Sequence, residues 1–313
     1  MRVVSAGRAA VACTMAALLV LVGAAAMGCS ATAELAPPPF AADSPFNTKI
    51  PDAVAVDPKS EEMIATATSE GIASNLVEFG IPIYLSSADT PRYTVPCRIT
   101  TWGRCPFDGH QVPIPDGARP HTGSDGAMVV VDRQSRQSFE FWQARHDGDK
   151  WTASWAGIVD IDGSGWGGGA TASGASRLGG VIRIAEIEAG KIPHALAIST
   201  QNACAKVFRA PAVATDGRSQ NADCIPEGAH LRLDPALDVD ALALTPAERA
   251  VATAFQVYGA YVVDRCGAPL CLSFELDTTA DSGSIGSVYH KAGLRWDYDN
   301  MPGVPWNRLQ VLA

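Results

Sequence analysis

Short runs of β-branched and aromatic residues, separated by Gly, Pro, Asp and Asn, recur from residue 80 towards the C terminus and constrain the fold most. The eleven runs read GIPIYLS, RYTVPCRI, AMVVVD, SFEFWQAR, WTASWAGIVDI, VIRIAEI, HALAIS, HLRLD, AYVVD, CLSFELD and LRWDY. Many short strands between turn signals are typical of sandwiches and barrels. We therefore predict an all-β, jelly-roll-like β-sandwich, in which Trp151, Ala153 and Trp155 share one face of a strand.

One or two helices are expected to pack on this sandwich, and two segments of the sequence have helix signals. The stretch 57–71 opens on Asp-Pro, continues with acidic and then apolar residues, and closes on Gly, which are helix start and stop signals. In the segment LTPAERAVATAFQVYG, Thr245 and Glu248 predict a capping box around Pro246 at the first helical position. Gly259 provides the stop.

Six cysteines remain once Cys13 and Cys29 are assigned to the N-terminal leader and its end. They fall into three neighbouring pairs around short loops, and we expect disulfides from Cys97 to Cys105, from Cys204 to Cys224, and from Cys266 to Cys271. The alternative, a zinc site, lacks a C-x-x-C pair or a Cys/His cluster. Disulfide-closed loops indicate an oxidising compartment.

The N terminus has the layout of an export signal. Arg2 and Arg8 precede or flank an apolar stretch, 9–27, and no acidic residue occurs before Glu34. The sequence has two candidate cleavage sites for this signal. One is a lipobox-like Ala-Met-Gly ahead of Cys29, and the other is an Ala-x-Ala site at 31–33. We assign 1–28 to a signal peptide, 29–48 to a tether and 49–313 to a single β-sandwich domain, located outside the cell or lipid-anchored to the outer face of the cytoplasmic membrane.

The charge balance narrows the choice of partners. The sequence has a net charge of −9, and removing Arg2 and Arg8 with the signal peptide leaves −11. An acidic body repels polyanions, so nucleic acid and anionic membrane surfaces are poor partners, and membrane contact is expected only through a lipid at Cys29. A neutral polysaccharide fits this charge better than an anionic one.

Ionisable residues beside turns are the candidate catalytic residues, and we expect them to lie together in an open cleft of the sandwich. The predicted catalytic residues are Glu186, His194, Asp125 and Asp264. Hydrolysis of a glycosidic bond needs two carboxyl groups, which Glu186, Asp125 and Asp264 could supply. Elimination needs a base and a group that neutralises a uronate, for which the candidates are His194, Arg183, Asn202 and Tyr258.

Aromatic residues are candidates for stacking on sugar rings. Trp142 and Trp166 are predicted to bind substrate together with Arg183 and Tyr258, and Trp166 lies in the glycine-rich loop DGSGWGGGATASG. The same loop begins like a calcium-binding loop, but its twelfth position is Thr171 rather than Glu. We therefore expect no metal in the catalytic site and no cofactor. The one exception is a structural calcium ion, which the start of this loop suggests.

The segments GKIPHALAIST, CIPEGAHLRLDP and LTPAERAVATAFQVYGAYVVD resemble a group of exported bacterial proteins common in actinobacteria, with no secure activity, and the similarity runs over nearly all of the chain after its leader. A fainter likeness is to jelly-roll alginate lyases. It rests on RIAEI with Arg183 and Glu186, on IPH, and on YHKAG with Tyr289 and Lys291. Ile192 stands where those lyases have glutamine, which argues against elimination on alginate. The likeness implies a carbohydrate-facing β-sandwich.

Together these features predict an enzyme that cleaves the glycosidic bonds of a polysaccharide, either a glycoside hydrolase or a polysaccharide lyase, with hydrolysis favoured. One alternative is a non-catalytic lipoprotein that binds glycan or another component of the cell envelope through an aromatic face. Another is a structural envelope lipoprotein without a ligand.

Overall fold

The computed structural model describes residues 38–313, which belong to one compact unit, Glu34–Ala313. Strands hold 25% of the residues and helices 13%, so the prediction of a mainly β fold with packed helices is confirmed. The predicted signal peptide and Cys29 lie outside the described residues. Within residues 38–313, no helix has the length and apolar character needed to cross a membrane.

Two sheets form the body. The first has the order β1-β4-β5-β8 and consists of β1 (Ile83–Ser86), β4 (Met128–Asp132), β5 (Gln137–Trp142) and β8 (Trp155–Asp160). The second has the order β14-β9-β13-β12-β15 and consists of β9 (Leu196–Ser199), β12 (His230–Leu233), β13 (Ala260–Asp264), β14 (Cys271–Leu272) and β15 (Leu309–Val311). Neither sheet is closed.

Three strand pairs stand apart from these sheets. They are β2 (Arg92–Tyr93) with β3 (Val112–Pro113), β6 (Arg145–Asp147) with β7 (Lys150–Thr152), and β10 (Ala203–Phe208) with β11 (Ile225–Glu227). The pairs β1–β4, β9–β13 and β10–β11 are parallel, whereas jelly rolls are built from antiparallel strands. The jelly-roll topology therefore stays a prediction.

The described residues contain four α-helices, α1 (Ser60–Ala67), α2 (Ile184–Ala189), α3 (Pro246–Val257) and α4 (Ser287–Lys291), and two 3₁₀ turns, Val239–Ala241 and Trp306–Arg308. The predictions for α1 and α3 are confirmed, including the capping box of Thr245 and Glu248. The strand predicted for VIRIAEI is wrong. There the Glu186 carboxylate accepts the backbone N–H of Arg183 at 2.8 Å and starts α2, which Gly190 ends with φ 66°.

The apolar core has three clusters. The largest packs α3, with fully buried Phe255, against the five-stranded sheet. A second lies on the four-stranded sheet around Phe107, Phe141 and Trp151, and a third contains Phe46 and residues of both sheets. The strand predicted through 151–159 is interrupted between β7 and β8, and Trp155 pairs instead with Trp142 of β5.

All three predicted disulfides are present. Their Cα–Cα separations are 5.5 Å for Cys97–Cys105, 5.0 Å for Cys204–Cys224 and 6.5 Å for Cys266–Cys271. Each closes a short loop within the sequence, as expected from the pairing of neighbouring cysteines. All three loops contribute residues to the cleft described next.

Candidate functional site

A cleft of about 1140 Å³ receives residues from both large sheets. Trp142 and Trp155 come from β5 and β8, and Ser199 and Asp264 come from the ends of β9 and β13. The disulfide loop 97–105 adds Trp102, and the loop 266–271 adds both of its cysteines. Strand ends and disulfide-closed loops therefore define one concave surface, the usual setting of a binding site.

Two of the predicted carboxylates, Asp125 and Asp264, line this cleft and face the same arginine. Nη2 of Arg177 lies 3.9 Å from Oδ2 of Asp125 and 3.7 Å from Oδ2 of Asp264. The Trp142 indole N–H donates a hydrogen bond of 3.0 Å to the other side of Asp125. The structure thus brings together Asp125, Asp264 and Trp142, three of the residues singled out in the sequence.

The two carboxyl groups differ in environment. The Asp125 side chain is 39% exposed, and that of Asp264 is 19% exposed and accepts the backbone N–H of Arg265 at 2.9 Å. Burial raises the pKa of Asp264 to about 6, although Arg177 acts in the opposite direction. A carboxyl group of this kind can hold a proton under slightly acidic conditions.

Arg177 is held in place by a buried acid that the sequence analysis did not single out. The carboxylate of Glu140, on β5, accepts the backbone N–H of Ala170 at 3.0 Å and of Arg177 at 2.8 Å. The hydroxyl groups of Ser138 and Ser176 donate to it as well. The three bonds from Ala170, Ser176 and Arg177 fix the segment 170–177 against the four-stranded sheet. The signal available in the sequence was an acidic residue between two phenylalanines in a predicted strand.

His121 is a second residue that sequence reasoning missed. Its side chain is buried at the cleft, its Nδ1 atom has no hydrogen-bond partner, and its ring lies 5.5 Å from that of Phe79. Burial lowers the pKa of His121 to about 4, and the charge of Arg177 contributes to the shift. The imidazole is therefore neutral near pH 7.

Carboxyl oxygens of Asp216, Glu227 and Asp264 lie within 4.8 Å of one another and could hold a cation. Asp216 is exposed and pairs with Nη1 of Arg265 at 3.3 Å, whereas Glu227 is fully buried. Neither Glu227 oxygen has a hydrogen-bond partner. Burial and the charges of Asp264 and Asp216 raise the pKa of Glu227 to about 9. This cluster lies directly beside the cleft, since Asp216 and Asp264 line it.

Tryptophans form one wall of the cleft. The rings of Trp102 and Trp142 are stacked at 5.7 Å, and Trp102 meets Trp155 edge-on at the same distance. Trp102 is 59% exposed, and Trp296 lines another part of the cleft and is 53% exposed. Exposed indole faces beside a carboxylate pair are suited to stacking on sugar rings.

The other predicted site residues lie outside the cleft. Glu186 and His194 are buried together, with Nε2 of His194 3.0 Å from Oε1 of Glu186. Nδ1 of His194 lies 2.8 Å from the carbonyl of Ala195, which makes the imidazole a bridge within the interior. Arg183 pairs with Glu275 at 2.9 Å. The structure therefore separates Glu186 and His194 from Asp125 and Asp264.

Three further candidates are also placed elsewhere. Trp166 stacks on Phe46 at 5.3 Å, in the third core cluster, and Tyr258 is packed beside the same cluster. Asn202 is buried and donates from its amide to the carbonyl of Asp223 at 3.1 Å. In the calcium-like loop, Asp162 pairs with Arg136. None of these residues lines the large cleft.

Comparison of the chain with protein-family models, with curated proteins and with solved structures finds no match. The functional interpretation of the cleft therefore depends on its own geometry and charges.

Proposed function

We propose that this protein is an exported glycoside hydrolase that cleaves a neutral polysaccharide, with Asp125 and Asp264 as its acid/base pair. The observation that carries the proposal is the contact of both carboxylates with one guanidinium nitrogen of Arg177, beside a wall of tryptophans in a large cleft. Two carboxyl groups on either side of the scissile bond are what glycoside hydrolysis requires.

The surroundings of the two acids suggest their roles. Asp264 is the more enclosed and acts as the proton donor to the leaving oxygen, while the more exposed Asp125 acts on water or on the anomeric carbon. Since both oxygens lie within 4 Å of one nitrogen, they are at most about 8 Å apart. Retaining enzymes hold their carboxyl groups about 5–5.5 Å apart and inverting enzymes about 6.5–9.5 Å, so the anomeric configuration of the product identifies the route.

Hydrolysis is better supported than elimination. The elimination candidates His194, Arg183, Asn202 and Tyr258 lie outside the cleft. His121 lines the cleft, but only 3% of the residue is exposed, whereas a base has to come within hydrogen-bond reach of its substrate. Export through the signal peptide, with or without a lipid at Cys29, and a jelly-roll-like topology are part of the same proposal. The three disulfides are consistent with export.

The second candidate function is glycan binding without cleavage. It is favoured by the exposed faces of Trp102 and Trp296, which would retain a sugar chain whether or not a bond is broken. A substitution that removes one acid but leaves the tryptophans unchanged separates the two functions, because only hydrolysis depends on the acid.

The test is incubation of the purified protein with a panel of neutral cell-wall polysaccharides, with release of reducing ends as the readout. We expect Asp125→Asn and Asp264→Asn each to lower the rate by on the order of 10³-fold, while the glycan is still bound. Asp116→Asn, at an exposed position away from the cleft, is the control and should act like the wild type. Hydrolysis that survives both cleft substitutions would refute the assignment. Binding of a glycan that no variant cleaves would favour the second function.

A further inference from the structure

Glu227 is unusual among the acidic residues that the structure describes. It lies at the end of β11, no part of it reaches solvent, and both of its carboxyl oxygens lack a hydrogen-bond partner. Its carboxyl group has Thr215, Asp216 and Asp264 as neighbours. Burying this group as an anion costs several kcal/mol, so the carboxyl group keeps a proton, in line with its raised pKa, unless a cation takes the place of that proton.

The two nearby arginines form ion pairs with other acids rather than with Glu227. Arg177 approaches Asp264 at 3.7 Å, and Arg265 pairs with Asp216 at 3.3 Å. Both therefore act on the outer members of the cluster and leave the innermost carboxyl group without a positive charge. The site therefore consists of three converging carboxyl groups. The one without a hydrogen bond or a positive charge beside it is that of Glu227, which water cannot reach.

We propose that Asp216, Glu227 and Asp264 bind one divalent metal ion, with Ca²⁺ preferred. Their oxygens lie within 4.8 Å of one another, no farther apart than oxygens on opposite sides of a Ca²⁺ ion with ligand distances of about 2.4 Å. Carboxylates are the ligands that hard cations favour. Mg²⁺ demands near-ideal octahedral geometry at about 2.1 Å and gives up its water reluctantly, so we expect it to bind more weakly here.

The position of the site explains how an ion enters and completes its shell. Asp216 is exposed and Asp264 lines the cleft, so an ion reaches Glu227 from the cleft and keeps water on its open side. The Cys204–Cys224 disulfide ties β10 to the chain just before β11, and Asp216 lies in the loop that it closes. The covalent closure limits how far Asp216 can move away from Glu227.

The experiment is calorimetric titration of the purified protein with CaCl₂ and, separately, MgCl₂, without any glycan. We expect one Ca²⁺ per chain with a dissociation constant of about 10⁻⁴–10⁻³ M, a range typical of extracellular modules, and weaker binding of Mg²⁺. Glu227→Gln should weaken Ca²⁺ binding at least about tenfold. Asp116→Asn, at an exposed position away from the cleft, is the control and is expected to stay within about twofold of the wild type.

Asp216→Asn provides a second ligand variant at an exposed position, where the substitution does not disturb the interior. It too should weaken Ca²⁺ binding. The proposal is overturned if the wild type takes up no Ca²⁺ at tenfold above that range, or if Glu227→Gln folds and binds as tightly as the wild type. Because these titrations contain no substrate, their result is independent of whether the cleft hydrolyses a glycan.

Discussion

Acidification should destabilise the protein through His121, and the size of the effect follows from its surroundings. Burial beside Arg177 lowers the pKa of this imidazole from 6.5 to about 4. Between these values the unfolded chain binds a proton that the folded protein does not, so stability is fully present above pH 6.5 and falls as the pH is lowered. The slope is about 1.4 kcal/mol per pH unit, which gives a loss of about 2 kcal/mol between pH 7 and pH 5.

Urea denaturation of the wild type and of His121→Gln at pH 7 and pH 5 isolates this contribution. Other groups titrate in the same interval, but they do so in both proteins and cancel in the difference. Any loss of unfolding free energy that the substitution causes independently of protonation is the same at both pH values, so it cancels when the two are compared. The stability of the variant relative to the wild type should therefore improve by about 2 kcal/mol on going to pH 5. A relative stability that changes by less than about 0.5 kcal/mol would refute the reasoning about His121.

Three further outcomes are expected. Trp102→Ala should weaken glycan binding about tenfold in affinity electrophoresis with little effect on the rate at saturation, since the exposed indole contacts sugar but no reacting atom. Glu140→Gln should lower the free energy of unfolding by about 2–3 kcal/mol in urea titrations. The substitution replaces one carboxylate oxygen with an NH₂ group, which would then face the N–H or O–H groups that donate to that oxygen. Millimolar Ca²⁺ should slow hydrolysis, and a chelator should restore it, because a bound ion removes Asp264 from proton transfer; an unchanged rate at saturating Ca²⁺ would contradict the shared use of Asp264.

The parts of the fold that could be predicted are those written within a few residues of sequence. The capping box of Thr245 and Glu248, and cysteines separated by short loops, require only local information. The parallel pairing of β1 with β4 joins segments about 45 residues apart, and no local pattern specifies it. At α2 the local evidence was misleading: an alternating apolar pattern competed with a cap supplied by Glu186, and the cap determined the structure.

For the site, the sequence revealed acids at turns but not their partners. Asp125 and Asp264 were recognisable because a glycine-flanked turn and a strand end present side chains to solvent. Arg177 follows a small-residue loop without any pattern of its own, and its role arises from three-dimensional contacts. Glu186 and His194 have the chemistry of a catalytic pair, but their burial in the interior is a property of packing that spacing does not reveal.

Glu140 connects the stability of the protein to the geometry of the cleft. Burying a carboxylate in a sheet is unfavourable, and an apolar residue at this position would serve the core at least as well. Its hydrogen bonds are directed to the segment 170–177, and Arg177 at the end of that segment approaches Asp125 and Asp264. The two acids lie 139 positions apart in the sequence, and Glu140 holds the backbone of Arg177, the residue that approaches both of them. The buried charge is thus explained by its effect on Arg177 rather than by a contribution to the core.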